Sequence, residues 1–136
     1  KFGFIDEIGN IVIKPQFYAA EKFSEGLAKV WFSHEKIGFI DKTGKIVVEP
    51  EYFGLVTEPD SKFKFNEGLT PVMVKEGGSY IWGFIDKTVK MIIEPQFSYA
   101  SDFSEGLAVV VITDKINPWN QSVVFINKTG EIVIQA

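Results

Sequence analysis

The chain has 136 residues, 46% of them hydrophobic and 15% aromatic, with 13 phenylalanines. That composition builds a core and excludes a disordered polar tract; no apolar run approaches the roughly 18–20 residues of a membrane-spanning helix. Cysteine is absent, which excludes disulfides and thiolate metal sites, and a net charge of −4 with basic side chains that are all lysine argues against nucleic acid as a partner.

Taken in order, the first element is a hairpin, "GFIDEIGNIVIKP" from Gly3, with Asp6 and Gly9 spaced for a tight turn. A connector follows, "QFYAAEKFSEG" from Gln16, with room for one helical turn around residues 19–23. Its Ser24-Glu25-Gly26 step is a second turn signal, and it feeds a short apolar strand, "LAKVWF" from Leu27. Period-two alternation assigns Ala28, Val30 and Phe32 to the core and Lys29 to solvent. The loop "SHEK" leads to a second hairpin, "GFIDKTGKIVVEP" from Gly38. Here Asp41 is placed to accept backbone hydrogen bonds and Gly44 to take the left-handed position, with strands at 38–41 and 45–48.

The second connector starts at Glu51 and carries a polar insertion, "LVTEPDSK", read as solvated. Its strand, "LTPVMV" from Leu69, turns Thr70, Val72 and Val74 inward and Pro71 outward. After the loop "KEGGSY" the third hairpin, "GFIDKTVKMIIEP" from Gly83, keeps Asp86 but places Val89 where glycine is expected. A β-branched residue at positive φ costs roughly 1–2 kcal/mol, so this turn is expected to change type. The third connector starts at Gln96 and its strand, "LAVVVI", at Leu107, with Ala108, Val110 and Ile112 inward and Val109 outward. The longest loop, "TDKINPWNQS" from Thr113, precedes the closing hairpin "VFINKTGEIVI" from Val124. Pro15, Pro50 and Pro95 cannot donate to a ladder, so each is expected to stop its strand or sit at an edge.

The repetition organises the rest. The units run at about 3–37, 38–82 and 83–123, with a terminal hairpin at 124–134. Phe17, Tyr52 and Phe97 follow the prolines by two, and Phe23, Phe65 and Phe103 precede the Glu-Gly steps by two. Each buried ring is worth about 2–3 kcal/mol, which one small unit cannot realise alone and stacked units can. The expected fold is all-β: tandem three-stranded antiparallel meanders with a closing hairpin, forming an elongated or superhelical array. A closed propeller is the alternative.

"WGFIDKTVKMIIEPQFSYASDFSEGLAVV" from Trp82 resembles the WG (or KWG) repeat of bacterial proteins, through Trp-Gly before the hairpin, Ile-Asp-Lys-Thr, Pro-x-Phe and Phe-Ser-Glu-Gly-Leu-Ala. The resemblance extends over essentially the whole chain. It departs at the namesake tryptophan, where Ile37, Val123 and Phe2 stand in other copies, and at Val124, which replaces the last glycine. The tryptophan is therefore one apolar packing choice among several. The resemblance implies an all-β repeat domain, often attached to other domains, that serves as a binding module and has no conserved chemistry. Lys1 lies inside a motif, so the sequence reads as a segment of a longer protein. The abundance of Lys, Ile, Phe and Asn suggests an AT-rich bacterial genome, and a cell-surface or secreted location is favoured over the cytoplasm.

For catalysis the residues offer little. The single histidine, His34, sits in a loop beside Glu35 and Lys36, without a base held next to a nucleophile. Glu25, Glu67 and Glu105 recur with the repeat, as do Asp6, Asp41 and Asp86, and recurrence is explained by turn geometry. The acidic residues come one per turn, not in a calcium-binding run, so no metal and no cofactor is expected. Candidate binding residues are those that interrupt the repeat: Trp119, which has no counterpart in other copies, then Trp31, Tyr80 and Trp82, with His34. The function read from this pattern is a non-catalytic scaffold for protein or peptide binding. The alternative is a carbohydrate or cell-wall binding module using the loop aromatics, which the strands "KIVV" and "NIVI", without paired aromatics, disfavour. Neither nucleic-acid binding nor membrane insertion is expected.

Overall fold

The computed structural model describes residues 2–5, 11–53, 64–114 and 116–135. The first hairpin turn (Asp6 to Gly9) and the insertion at 55–62 lie outside the described residues. The chain divides into two compact units, Lys1–Ser61 and Lys62–Ala136.

In the first unit β1 (Phe2–Ile5) and β2 (Ile11–Phe17) form an antiparallel hairpin. A second antiparallel ladder follows in chain order: β3 (Ala19–Ala20), β4 (Ala28–Trp31), β5 (Lys36–Ile40) and β6 (Ile46–Phe53). Ile13 and Phe17 of the hairpin pack against Ala28, Val30 and Ile40 of the ladder, with Phe4 and Phe23 alongside. The second unit repeats the plan with β7 (Leu69–Glu76), β8 (Ser79–Asp86) and β9 (Met91–Phe97), then β10 (Tyr99–Ala100), β11 (Ala108–Thr113), β12 (Gln121–Ile126) and β13 (Ile132–Gln135). Its core joins Phe84, Ile93 and Phe97 to Ala100, Phe103, Ala108, Val110, Val124 and Ile126. The connector ring meets the motif ring in both units: Phe4–Phe23 and Phe84–Phe103 have centroids 4.9 Å apart.

The all-β repeat architecture is as the sequence implies, and no helix occurs among the described residues. The segment allowed a helical turn is instead strand β3 followed by irregular chain at 21–23. The ladder's phase was not legible. In the first and third repeats the third strand does not pair with its own hairpin: β4 pairs with β3 and β5, and β11 with β10 and β12. The runs β3–β6 and β10–β13 therefore each take their last two strands from the next repeat. The switch occurs at a one-residue corner, Tyr18 or Ser98, whose N–H donates to Trp31 O at 2.8 Å or Val111 O at 2.9 Å. The chain turns there out of one ladder and into another packed across it.

The prolines do not stop their strands. The pairing jumps from Trp82↔Phe97 to Phe84↔Ile93, so three residues of β9, centred on Pro95, lie opposite the single Gly83. The same bulge sets Pro50 opposite Gly38 and Pro15 opposite Gly3. A proline needs no ladder partner at a bulge. The bulged backbone then lies over the glycine: a Cβ at Gly83 would sit 2.6 Å from Ile93 O and 2.8 Å from Pro95 N, and one at Gly38 would collide with Val48 O. In the closing hairpin Val124 takes the glycine position and pairs with Gln135, with Phe125↔Ile134 beside it and a register shift before Ile126↔Ile132.

The hairpin turns follow the expected chemistry. Thr43 N–H and Oγ1–H donate to Asp41 Oδ1 at 2.9 and 2.6 Å and Lys45 N–H at 3.0 Å; Asn127 Oδ1 accepts the same three bonds. The expected change of type at the third turn does not occur. Val89 adopts φ 68°, its N–H donates to Asp86 O at 3.1 Å as Gly44 and Gly130 do to Asp41 and Asn127, and Asp86 Oδ1 accepts from Thr88 and Lys90. Four hydrogen bonds outweigh a strain of about 1–2 kcal/mol. Val89→Gly is accordingly expected to raise stability by about 1 kcal/mol, the relieved strain less the entropy glycine gains when unfolded; urea denaturation checks it.

The Ser/Asn-Glu-Gly steps are two-residue turns with both central residues left-handed. Glu25, Glu67 and Glu105 have φ of 54°, 53° and 53°, and the glycines after them 85°, 80° and 79°. Reciprocal bonds close them, as Ser104 N–H to Leu107 O at 2.8 Å and Leu107 N–H to Ser104 O at 3.1 Å. This is the primed geometry favoured between twisted strands.

Three assignments of strand faces need correction. Lys29, read as solvent-facing, is 5% exposed, with Nζ 3.6 Å from Glu21 and its stem buried. Pro71 is buried too, and Phe32, assigned to the core, is at the surface, edge-on to Phe17. Both faces of β4 and β7 are covered, so strict alternation does not describe them.

Candidate functional site

Among the described residues, the loop between β11 and β12 is the feature that the repeat does not account for. It leaves the ladder at Asp114, whose N–H donates to Asn120 O at 2.9 Å and closes the loop's base. Asp114 Oδ1 accepts from Ile116 N–H at 2.8 Å and Asn117 N–H at 3.3 Å; Asn117 Oδ1 accepts from Trp119 N–H at 3.3 Å, and Asn117 O from Asn120 N–H at 2.9 Å. Asp and Asn at the first turn positions, with Pro118 before Trp119, are the chemistry of consecutive tight turns. This frame displays two large apolar side chains: Trp119 is 94% exposed and Ile116 95%. The backbone hydrogen bonds hold Asp114 below the usual carboxylate range, so it is ionised at neutral pH.

The other candidates are differently placed. Trp31 is 3% exposed in β4, with Lys29 Nζ 5.4 Å from its ring centroid, and presents no face to a ligand. Trp82 is half-buried against the second unit's core, its ring 6.4 Å from that of Tyr99. Tyr80 is 43% exposed beside the Gly77-Gly78 turn, with Lys75 Nζ 5.9 Å from its ring. His34 is exposed in the bend between β4 and β5. Of the five, Trp119 combines exposure with a hydrogen-bonded frame. Ile116 was missed by sequence reasoning, which weighed only aromatic rings, although its place three residues before Trp119 in the same insertion was visible.

Among the described residues no group of His, Asp and Glu is arranged to hold a metal ion, and no helix is long and apolar enough to cross a membrane. Asp41, Asp86 and Glu67, among the recurring acidic residues, have structural partners. Thr43 and Thr88 hydroxyls, with backbone N–H groups, hold Asp41 and Asp86 below the ordinary value of 3.8. Glu67 reaches from one repeat's turn to the next. Its Oε1 lies 3.1 Å from Lys128 Nζ and accepts from Gly106 N–H at 2.9 Å, and these contacts, the lysine first, hold it below 4.5. A carboxyl whose folded value is lowered stabilises the fold above its unfolded value, and that contribution is lost as pH falls through the folded one. The thermal midpoint is therefore expected to fall on acidification below about pH 4. Asp86→Asn should flatten part of that fall, since Asn127 caps the equivalent turn without titrating; melts of both proteins between about pH 5 and pH 2 check this.

A family model described as a WG-containing repeat matches residues 2–30, 37–52 and 82–115, more than half of the chain. No curated protein and no solved structure matches it.

Proposed function

Because this chain belongs to the WG-containing repeat family, whose recurring residues are spent on turns, bulges and packing, we propose that it is a non-catalytic module that binds a protein or peptide through the loop at 114–120. The observation that carries this reading is the display of Trp119 and Ile116, 94% and 95% exposed, on a hydrogen-bonded frame. Tryptophan is enriched among residues that dominate binding energy, and one held open on a fixed frame is placed to act as such an anchor. A frame formed before binding also lowers the ordering cost of association. Ile116 favours a protein or peptide over a glycan, because an aliphatic side chain offers no π face to a sugar ring.

The test pairs a displayed random-peptide library with a glycan array, each probed with wild type and Trp119→Ala. Peptide ligands selected on the wild type are expected to bind Trp119→Ala at least about tenfold more weakly. The variant's melting temperature should not change, since its side chain supports nothing in the fold. Glycan binding lost in Trp119→Ala, without peptide ligands, would transfer the site to carbohydrate. Peptide ligands indifferent to Trp119 and Ile116 would remove the site from this loop.

A further inference from the structure

The last cross-strand pair of β11 and β12, Thr113 with Gln121, stands at the base of the loop at 114–120. A chain of side-chain hydrogen bonds joins it to Ser98. Gln121 Nε2–H donates to Thr113 Oγ1 at 3.3 Å, Thr113 Oγ1–H to Ser98 Oγ at 2.8 Å, and Ser98 Oγ–H to Val111 O at 3.1 Å. The chain can run in one direction only. A backbone carbonyl accepts and never donates, so Ser98 gives its single proton to Val111. Thr113 must then give its own to Ser98, and what faces Thr113 from Gln121 must be a donor. The carboxamide is thereby fixed in orientation. Its Oε1 and second N–H have no protein partner among the described residues, and the residue is exposed.

This row of a ladder stays open where a further repeat packs on it. One repeat earlier the same place holds Lys75 and Tyr80, paired across β7 and β8. Both are exposed, although Phe84, farther along the same face, is buried under β10 to β12. The two rows differ in chemistry. In the earlier one Lys75 Nζ stands 5.9 Å from the centre of the Tyr80 ring. In the later one an oriented acceptor and donor lie beside a loop with two open apolar side chains.

We propose that Gln121 reads the backbone of the ligand bound at the loop, and that this ligand is an extended peptide segment. The inference rests on the loop at 114–120 being the binding site. An extended chain presents unpaired N–H and C=O groups along its edge, which complement Oε1 and the second N–H of Gln121. Its side chains alternate, so an apolar one can lie on Trp119 and Ile116 while the backbone meets the carboxamide. A helical ligand uses its N–H and C=O groups internally and offers Gln121 neither. Thr113 and Ser98 are positioning residues, which hold the carboxamide without touching the ligand.

The probes are peptides selected on the wild-type chain from the displayed random library. They are resynthesised with a label and with single N-methyl groups at successive backbone nitrogens, and titrated by fluorescence anisotropy. One N-methyl position is expected to weaken binding to the wild type at least about fivefold, and binding to Gln121→Ala not at all. The unmethylated peptide should bind Gln121→Ala at least about fivefold more weakly than wild type. Thr113→Val, which leaves the carboxamide unanchored, should weaken it by a smaller factor. Peptides that depend on Trp119 but bind Gln121→Ala as tightly as wild type overturn this inference and leave the loop as the site. So does an N-methyl scan with the same profile on both proteins. A library that yields no peptide dependent on Trp119 overturns both readings.

Discussion

Phe103→Ala is expected to lower the free energy of unfolding by about 4 kcal/mol. The ring is 2% exposed and packs between the ladder of β8 and β9 and the ladder of β10 to β12, edge-on to Phe84. Its removal loses the transfer free energy of a phenyl group and opens a cavity between two ladders, which collapse poorly because hydrogen bonds fix each of them. A domain of this length has a total stability of roughly 7–20 kcal/mol, so the loss is a large part of it. Phe23, the counterpart in the first unit, is only half-buried, and Phe23→Ala should do less. Urea denaturation of both variants, with the slope unchanged, measures the difference.

Gly83→Ala should destabilise by about 3 kcal/mol, although alanine is the smallest possible addition and the glycine's φ is not left-handed. The reason is the bulge opposite it. The new methyl would meet the oxygen of Ile93 at 2.6 Å and the nitrogen and Cα of Pro95 at 2.8 and 3.0 Å. These are backbone atoms, and no rotamer change moves them aside. Relief requires the bulge to unwind into simple register, which would slide Phe97 and Ile93 out of the core. In the closing hairpin Val124 takes this position, pairs with Gln135 and is itself a core residue, 1% exposed. Thermal denaturation of Gly83→Ala should show a large loss; a midpoint within a degree or two of wild type would mean the bulge is not rigid.

The same bulge shows what was legible in the sequence. The hairpin turns could be read from Asp41, Asn127, Gly44 and Gly130, because their geometry is local and each residue has one good reason to be there. The buried rings could be read from their recurrence. The strands' passage through Pro15, Pro50 and Pro95 could not, because a proline's tolerance depends on the partner strand, which sequence spacing does not reveal. Val89 was misjudged for a related reason: its strain was weighed alone, without the bonds to Asp86 that hold the turn. Lys29 and Pro71 were placed in solvent because alternation was applied to strands covered on both faces. The phase of the ladders depends on a one-residue corner at Tyr18 and Ser98 that carries no distinctive residue. For the candidate site, the loop was found because it breaks the repeat, and Trp119 because it is large and unmatched. The burial of Trp31 was decided by packing that a single strand's pattern does not contain.

The claim on which the fold depends is that the repeated residues build ladders completed by the next repeat's hairpin. Cross-strand nuclear Overhauser contacts in solution test it most directly. The account predicts contacts of Val110 with Val124 and Ala108 with Ile126, and slow amide exchange along β11 and β12. A backbone ladder from β11 to β9, the third strand pairing with its own hairpin, would contradict it.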